Sequence, residues 1–188
     1  FLAVSIYVLF AKKLGRIGFF ILTILLLNSI ADIVSSYYAS QGIRNGIVYN
    51  ILTPVEKIIT LAVYSLFSTK NYLKYSNWVL ALLVAGFGIV WFIIADDFNN
   101  FFYELHTVTS LIIVIMSYLE LRSLLDLDTY SELLLGFCIA NFVYYTLNVS
   151  SLSSMNVAII FGESDYARRV GKINHVAYFI WSLILIIS

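Results

Sequence analysis

Residues 17–38 read IGFFILTILLLNSIADIVSSYY. The first half of this stretch is apolar at nearly every position, and the second half introduces Asn28 and Asp32. A continuous apolar run of this kind crosses the ~30 Å hydrocarbon core of a bilayer as an α-helix. Transmembrane β-strands would instead alternate apolar and polar residues over about ten positions. The stretch therefore predicts a membrane-spanning helix whose polar residues gather toward one end.

The composition of the whole chain agrees with a membrane location. Of its 188 residues, 61% are hydrophobic and only 12% are charged, which is too little charge to cover the surface of a soluble domain. Basic and acidic residues number 11 each, and nothing in their pattern indicates nucleic acid as a partner. The single cysteine, Cys138, excludes an intrachain disulfide. We predict an all-α, polytopic membrane protein that is surrounded by the lipid bilayer.

Seven apolar stretches follow one another along the chain. The predicted spans are residues 1–11, 17–38, 46–68, 78–95, 101–120, 131–149 and 172–188. The first is incomplete, and we expect residues 1–188 to be one seven-helix transmembrane domain with both termini trimmed. The serine-rich start of residues 150–171 predicts the one long connection. Pro54 lies inside the third span and should kink it, as neighbouring helices tolerate.

Orientation is predicted from Lys and Arg in the loops, which are enriched on the cytoplasmic side of membranes. One side receives Lys12, Lys13, Arg16, Lys70, Lys74 and Arg122. The other side receives Arg44, Arg168, Arg169 and Lys172. The first set is the larger, so we expect the N-terminus outside and the C-terminus in the cytoplasm. The location expected is a plasma membrane or a bacterial inner membrane.

Polar residues crowd toward the predicted outer end of five spans. A charged side chain at the centre of a membrane helix costs about 2.5–3.5 kcal/mol on insertion scales, so such groups face protein or water. Helical spacing places Asn28 and Asp32 on one face, and Asn141 and Tyr145 on another. The inner halves read as apolar, which predicts a closed pocket that opens outward, because a channel would need polar lining on both halves. The predicted ligand-binding residues are Asp32, Asn50, Glu56, His106, Asn141, Tyr145, His175 and Tyr178.

Glu56 is the most informative of these residues, because it lies near the middle of a span beside Lys57. A carboxylate in that place needs a partner or a proton. Glu56 is therefore either a ligand-binding or proton-linked group, or half of a structural ion pair. Together with Asp32 it would favour a cationic ligand, a shared proton or a basic partner. His106 and His175 can titrate near neutral pH, or can be ordinary polar residues near the membrane interface.

Motifs for catalysis are weak. His106, His175 and Asp32 form the His₂-carboxylate inventory of some zinc hydrolases, but the sequence has no closely spaced pair of histidines. It also lacks the Gly-x-Ser-x-Gly turn of serine hydrolases and the glycine loops that hold phosphates. We therefore expect no catalytic residues, no metal and no cofactor, and an enzyme is the less favoured class.

A faint internal repeat relates the two halves of the chain. Residues 29–34 (SIADIV) align with residues 138–143 (CIANFV), which sets Asp32 opposite Asn141. The second and third spans would then correspond to the sixth and seventh, in a three-plus-one-plus-three arrangement. Parallel repeats of this type occur in some transporters. Chance similarity between apolar segments explains the match equally well.

The function we predict is that of a receptor-like or sensory module. A small polar ligand would bind from outside and stabilise one packing of the helices over another. A cytoplasmic signalling partner or other membrane subunits would receive the change. Three alternatives stay open: a small-solute or proton-coupled transporter, an intramembrane lipid hydrolase, and a structural subunit of a membrane complex. A continuous polar path to the cytoplasm would favour transport.

Overall fold

The computed structural model describes residues 15–43, 45–94, 102–127, 131–162 and 164–187. This part of the chain contains six α-helices: α1 (Gly15–Ser40), α2 (Gly46–Phe67), α3 (Asn71–Ile94), α4 (Tyr103–Leu125), α5 (Glu132–Ile160) and α6 (Ser164–Ile187). Five of them, α1 to α5, are long and apolar enough to cross a membrane. The protein is all-α, and these helices indicate a multi-pass membrane protein.

Five of the predicted spans each fall on one helix, from 17–38 on α1 to 131–149 on α5. The predicted span at 1–11 lies outside the described residues. The last predicted span, 172–188, falls on α6, where the apolar part is the shorter stretch Val176–Leu185. The count of seven spans and their orientation therefore stay predictions.

The long connection predicted at 150–171 is wrong. Helix α5 continues to Ile160 and α6 begins at Ser164, so only three residues separate them, and Phe161 and Gly162 form a turn. Gly162 makes this turn with a φ of 77°, a left-handed conformation that glycine adopts without steric cost.

Serine side chains explain why the helix does not stop. Ser150 Oγ donates to the carbonyl oxygen of Thr146 at 3.1 Å, and Ser154 Oγ donates to the carbonyl of Ser150 at 2.8 Å. These bonds to the preceding turn satisfy the hydroxyls within the helix itself. The serine-rich composition that predicted a loop is therefore compatible with a continuous α5.

The chain divides into two compact units, residues 1–105 and 106–188. In the first unit α2 is the central helix, because it packs against both α1 and α3. It stays helical through Pro54, which is buried. A Cβ added to Gly88 of α3 would lie 3.8 Å from Pro54 Cβ, whereas one at Gly86 would have nothing within 4 Å. Close packing thus occurs at Gly88 and not at Gly86.

In the second unit α5 and α6 pack along each other as a helical hairpin. A hydrogen bond from Ser110 Oγ to Asn148 Oδ1, 3.0 Å long, connects α4 to α5. Tyr118 of α4 and Phe142 of α5 also lie in contact, with ring centroids 6.4 Å apart. These contacts position the polar residues of the second unit.

Large apolar side chains cover much of the outer surface. On α3 alone, Val79, Leu82 and Ile93 are all more than half exposed. On a soluble protein so much exposed apolar surface would need a partner. Around a membrane helix the lipid chains provide that contact.

Candidate functional site

An acidic and a basic side chain, adjacent in the sequence, are both buried in the middle of α2. Glu56 is 4% exposed and Lys57 is 0% exposed. Consecutive residues point about 100° apart on a helix, so both can be buried only because α2 has neighbours on two sides. Lys57 and Glu56 attract each other electrostatically. We call these two residues the charge pair.

The surroundings of the charge pair are also polar. Thr60, one turn further along α2, is buried and donates its hydroxyl to the carbonyl oxygen of Glu56 at 3.0 Å. One acidic, one basic and one hydroxyl side chain are thus buried within five residues of α2.

Asp32 belongs to a different polar group, at the junction of α1 and α2. The Tyr49 hydroxyl hydrogen-bonds with Asp32 and Ser35, and Asn45 Nδ2 donates to Ser35 Oγ. Ser35 is buried, whereas Asp32 is on the exposed side of α1. The predicted polar face of α1 therefore reaches the surface at Asp32.

Asn50 accepts a hydrogen bond within the first unit. Its Oδ1 accepts a hydrogen bond from the backbone N–H of Phe102 at 3.1 Å. Phe102 immediately precedes α4, where backbone amides have no partner within the helix. Asn50 is buried and so serves as a cap for the start of that helix.

The second unit brings together three of the predicted residues. Trp181 Nε1 donates to Asn141 Oδ1 at 2.8 Å, and Trp181 stacks on Tyr178 with ring centroids 5.4 Å apart. The ring centroid of Tyr144 lies 4.8 Å from that of Tyr145, 6.1 Å from that of Tyr178 and 6.0 Å from that of Trp181. We call Tyr144, Tyr145, Tyr178 and Trp181 the aromatic cluster.

Trp181 was not among the predicted site residues, although its position was readable. It follows Tyr178 by three residues and so shares its helical face. A buried amide such as Asn141 needs a donor, and the indole N–H is one. The aromatic cluster has a buried side, Tyr145 and Trp181, and a half-buried side, Tyr144 and Tyr178. Ring faces of this kind can contact apolar or cationic groups.

The two histidines have different outcomes. His106 is buried in α4, together with Ser110 one turn further on. The side chain of His175 lies outside the described residues. The predicted zinc alternative of His106, His175 and Asp32 is therefore untested. Among the described residues, no group of three or more His, Cys, Asp or Glu is arranged to hold a metal.

The predicted apolar inner half is wrong for α4, and in α3 a buried polar residue directly precedes the predicted span 78–95. Asn77 of α3 is 0% exposed and Glu120 of α4 is 2% exposed. Both lie toward the helix ends predicted to be cytoplasmic. Ser117 and Ser123 are buried as well, each three residues from Glu120. This spacing puts the three on one face, a signal that was overlooked because the surrounding residues are apolar.

Glu120 also has a neighbour in the second unit. Its carboxylate is close enough to Cys138 of α5 to interact with it electrostatically, and Cys138 is fully buried. Glu120 and the charge pair are thus two sites where ionisable groups are enclosed within membrane-type helices.

The chain has no match among protein-family models, curated proteins or solved structures. Its own residues therefore have to support any assignment of function.

Proposed function

We propose that this protein is a receptor-like membrane sensor that binds a small polar ligand at the charge pair of α2. The observation that carries the proposal is the burial of Glu56 and Lys57 in the middle of an apolar helix. Ionisable residues inside membrane helices are expensive and usually mark a ligand, ion or proton site.

Stability alone is a poor reason to bury such a pair. The cost of removing both charges from water commonly cancels their attraction, and apolar residues of similar volume often stabilise a protein at least as well. A ligand that interacts with the pair explains why ionisable side chains occupy these positions. A zwitterionic or hydrogen-bonding molecule matches one acid and one base.

The response would pass through the packing of α2. Because this helix contacts both α1 and α3, a ligand that changes the interactions of Glu56 and Lys57 changes both interfaces. The shift cannot exceed the difference in affinity of the ligand for the two helix arrangements. A cytoplasmic partner would read the altered arrangement.

The remaining predicted residues would have supporting roles. Asp32 and Asn50 belong to the first unit, and His106, Asn141, Tyr145, His175 and Tyr178 to the second. In this proposal Asp32 and Asn50 orient polar groups of the ligand or hold the helices that contact it, and the role of the other residues is confined to the second unit. No catalytic role is assigned to any of them.

The topology proposed is seven spans, with residues 1–11 first and α6 last, and the α1–α2 connection outside. It can be tested with single cysteines in a Cys138→Ala background, because Cys138 is the chain's only cysteine. Gln41 and Thr69 are exposed at opposite ends of α2. On intact cells a membrane-impermeant maleimide should label Gln41→Cys and spare Thr69→Cys. The reverse pattern would reverse the orientation.

Ligand binding can be tested without knowing the ligand. The protein is purified in mild detergent, and the small molecules that co-purify are identified by mass spectrometry for the wild type and for Glu56→Gln. Glu132→Gln is the matched control, since Glu132 is exposed at the start of α5. A polar molecule should be retained by the wild type and the control and lost from Glu56→Gln. Equal retention by all three proteins would refute binding at the charge pair.

Transport is the second candidate, and the burial of Asn77 and Glu120 favours it. Each extends buried polarity toward the predicted cytoplasmic end of its own helix, where a transporter needs polar groups as well. In proteoliposomes a transporter would accumulate the co-purified molecule in response to a pH or solute gradient. Glu120→Gln should then abolish uptake, whereas in a sensor the same variant would leave ligand retention unchanged and no uptake would occur.

A further inference from the structure

One end of the first unit brings basic residues from two helices together. The ring centroids of Phe20 in α1 and Phe67 in α2 are 6.5 Å apart, and Phe67 is the last residue of α2. Arg16 precedes Phe20 by one helical turn, and Lys70 lies in the turn just after Phe67. Arg16 and Lys70 are therefore at the same end of the unit.

Lys74 belongs to the same end. Its backbone N–H donates to the carbonyl of Lys70 at 3.1 Å, so the two lysines are one turn apart at the start of α3. Ser65 Oγ of α2 donates to the carbonyl oxygen of Lys74 at 2.9 Å, which holds the start of α3 against the end of α2. Arg16 is exposed and both lysines are partly exposed, so their charged groups can reach the solvent.

The acidic residues that would neutralise this end are missing from the sequence around it. There is no Asp or Glu in residues 15–31 or in residues 58–94. In the sequence of residues 163–172 the charges are mixed instead, because Glu163 and Asp165 precede Arg168, Arg169 and Lys172. The basic end of the first unit is thus distinct from the other group of basic residues.

Aromatic side chains show where the membrane surface meets this end. Tyr72 is 64% exposed, Tyr75 is 73% exposed and Trp78 is 48% exposed, and they follow one another every three residues along one face of α3. Tyr and Trp concentrate at the headgroup level of membranes. Val79 and Leu82 continue the same exposed face toward the apolar part of the helix. The lysines therefore lie at the height of lipid headgroups, with a surface for acyl chains beside them.

We propose that Arg16, Lys70 and Lys74 bind the phosphate of an anionic glycerophospholipid whose acyl chains lie along the Tyr72–Tyr75–Trp78 face of α3. Lysine and arginine at the membrane surface attract anionic headgroups, and the first amides of a helix favour a phosphate near them. The adjoining aromatic and aliphatic face selects a lipid over free phosphate. The proposal does not depend on which side of the membrane this end occupies, nor on the proposed sensing function.

The test uses the full chain in detergent and native mass spectrometry with three probes: phosphatidylglycerol, phosphatidylcholine and inorganic phosphate. The wild type should retain phosphatidylglycerol over phosphatidylcholine by about 30- to 150-fold, given two or three cationic contacts that each contribute about 1 kcal/mol at the surface. The double variant Lys70→Gln/Lys74→Gln should bring the two lipids close to equal retention. Lys70→Arg/Lys74→Arg should preserve the preference, because it keeps the charge.

The matched control removes two charges from the other group. Arg169→Gln/Lys172→Gln should keep the wild-type preference, since both residues lie in the mixed-charge region. The proposal is overturned if the wild type does not distinguish the lipids or if the control loses the preference as fully as the lysine variant. It is also overturned if millimolar inorganic phosphate displaces the lipid completely, because the site would then be one for free phosphate.

Discussion

The indole N–H of Trp181 in α6 donates to Asn141 Oδ1 in α5 at 2.8 Å, and both side chains are buried. In apolar surroundings no water is available to either group, so this hydrogen bond satisfies polar atoms of both side chains. Trp181→Phe keeps an aromatic ring in the cluster and removes only the donor. We expect it to destabilise the protein by about 0.5–2 kcal/mol, the range for hydrogen bonds between membrane helices and for an amide left unsatisfied.

The measurement is SDS-induced unfolding in mixed micelles, followed by circular dichroism. Asn141→Val/Trp181→Phe removes both partners, so it should cost less than the sum of the two single variants. Tyr166→Phe is the control, because Tyr166 is exposed. Strictly additive effects at Asn141 and Trp181 would mean that the bond contributes nothing to stability.

We expect α3 to tolerate a large side chain at Gly86 but not at Gly88. A methyl group at Gly88 would lie at ordinary contact distance from Pro54, but the longer side chain of Gly88→Leu has to displace α2. Overpacking of this kind costs about 1–3 kcal/mol. Gly88→Ala should be neutral or stabilising by up to about 1 kcal/mol, because alanine favours the helix. Gly86→Leu, with open space around it, should be tolerated in the same SDS titration; equal loss from both leucine variants would contradict the Gly88–Pro54 contact.

The extension of α5 beyond residue 149 makes a prediction at Ser153, which is exposed on that helix. Ser153→Pro removes a helical hydrogen bond and introduces a clash with the preceding turn, so it should cost about 3 kcal/mol or more. Ser153→Ala at the same position should stay within about 0.5 kcal/mol, as surface substitutions usually do. Amide hydrogen exchange should find residues 151–160 protected in the wild type. If Ser153→Pro is as stable as Ser153→Ala, this segment is a loop after all.

Apolar runs were enough to locate α1 to α5, because a membrane helix must be apolar over most of its length whatever its neighbours are. The end of α5 could not be read in this way. Serine satisfies its hydroxyl equally well in a turn or against its own helix, as Ser150 and Ser154 do. Composition therefore did not distinguish a loop from a helix that continues.

The candidate site was harder to predict than the helices. Spacing put Asn28 and Asp32 on one face, but only packing decides where that face is covered, and Asp32 proves to be exposed. The reverse happened at Glu120, a single polar residue among apolar ones that is buried. Periodicity within one helix says which residues share a face, and contacts between helices decide what that face meets.

The charge pair of α2 makes the strongest prediction for stability. Replacing one member leaves the other charge enclosed without its neighbour, and the usual cost of breaking a buried pair is about 3–5 kcal/mol. Glu56→Gln and Lys57→Met should therefore each destabilise the protein strongly in the SDS titration. Glu132→Gln and Lys172→Met are the controls, because both residues are exposed. Each control should change stability by less than about 1 kcal/mol.

The double variant Glu56→Gln/Lys57→Met distinguishes a site from a structural bond. With both charges gone, no uncompensated charge remains, so the double variant should recover most of the stability lost by either single variant. If the charge pair binds a ligand, this stable double variant should still fail to retain the co-purifying molecule. If the double variant recovers stability and also retains the molecule fully, Glu56 and Lys57 serve helix packing alone. If its loss of stability equals the sum of the losses in the two single variants, the two charges do not act as a pair.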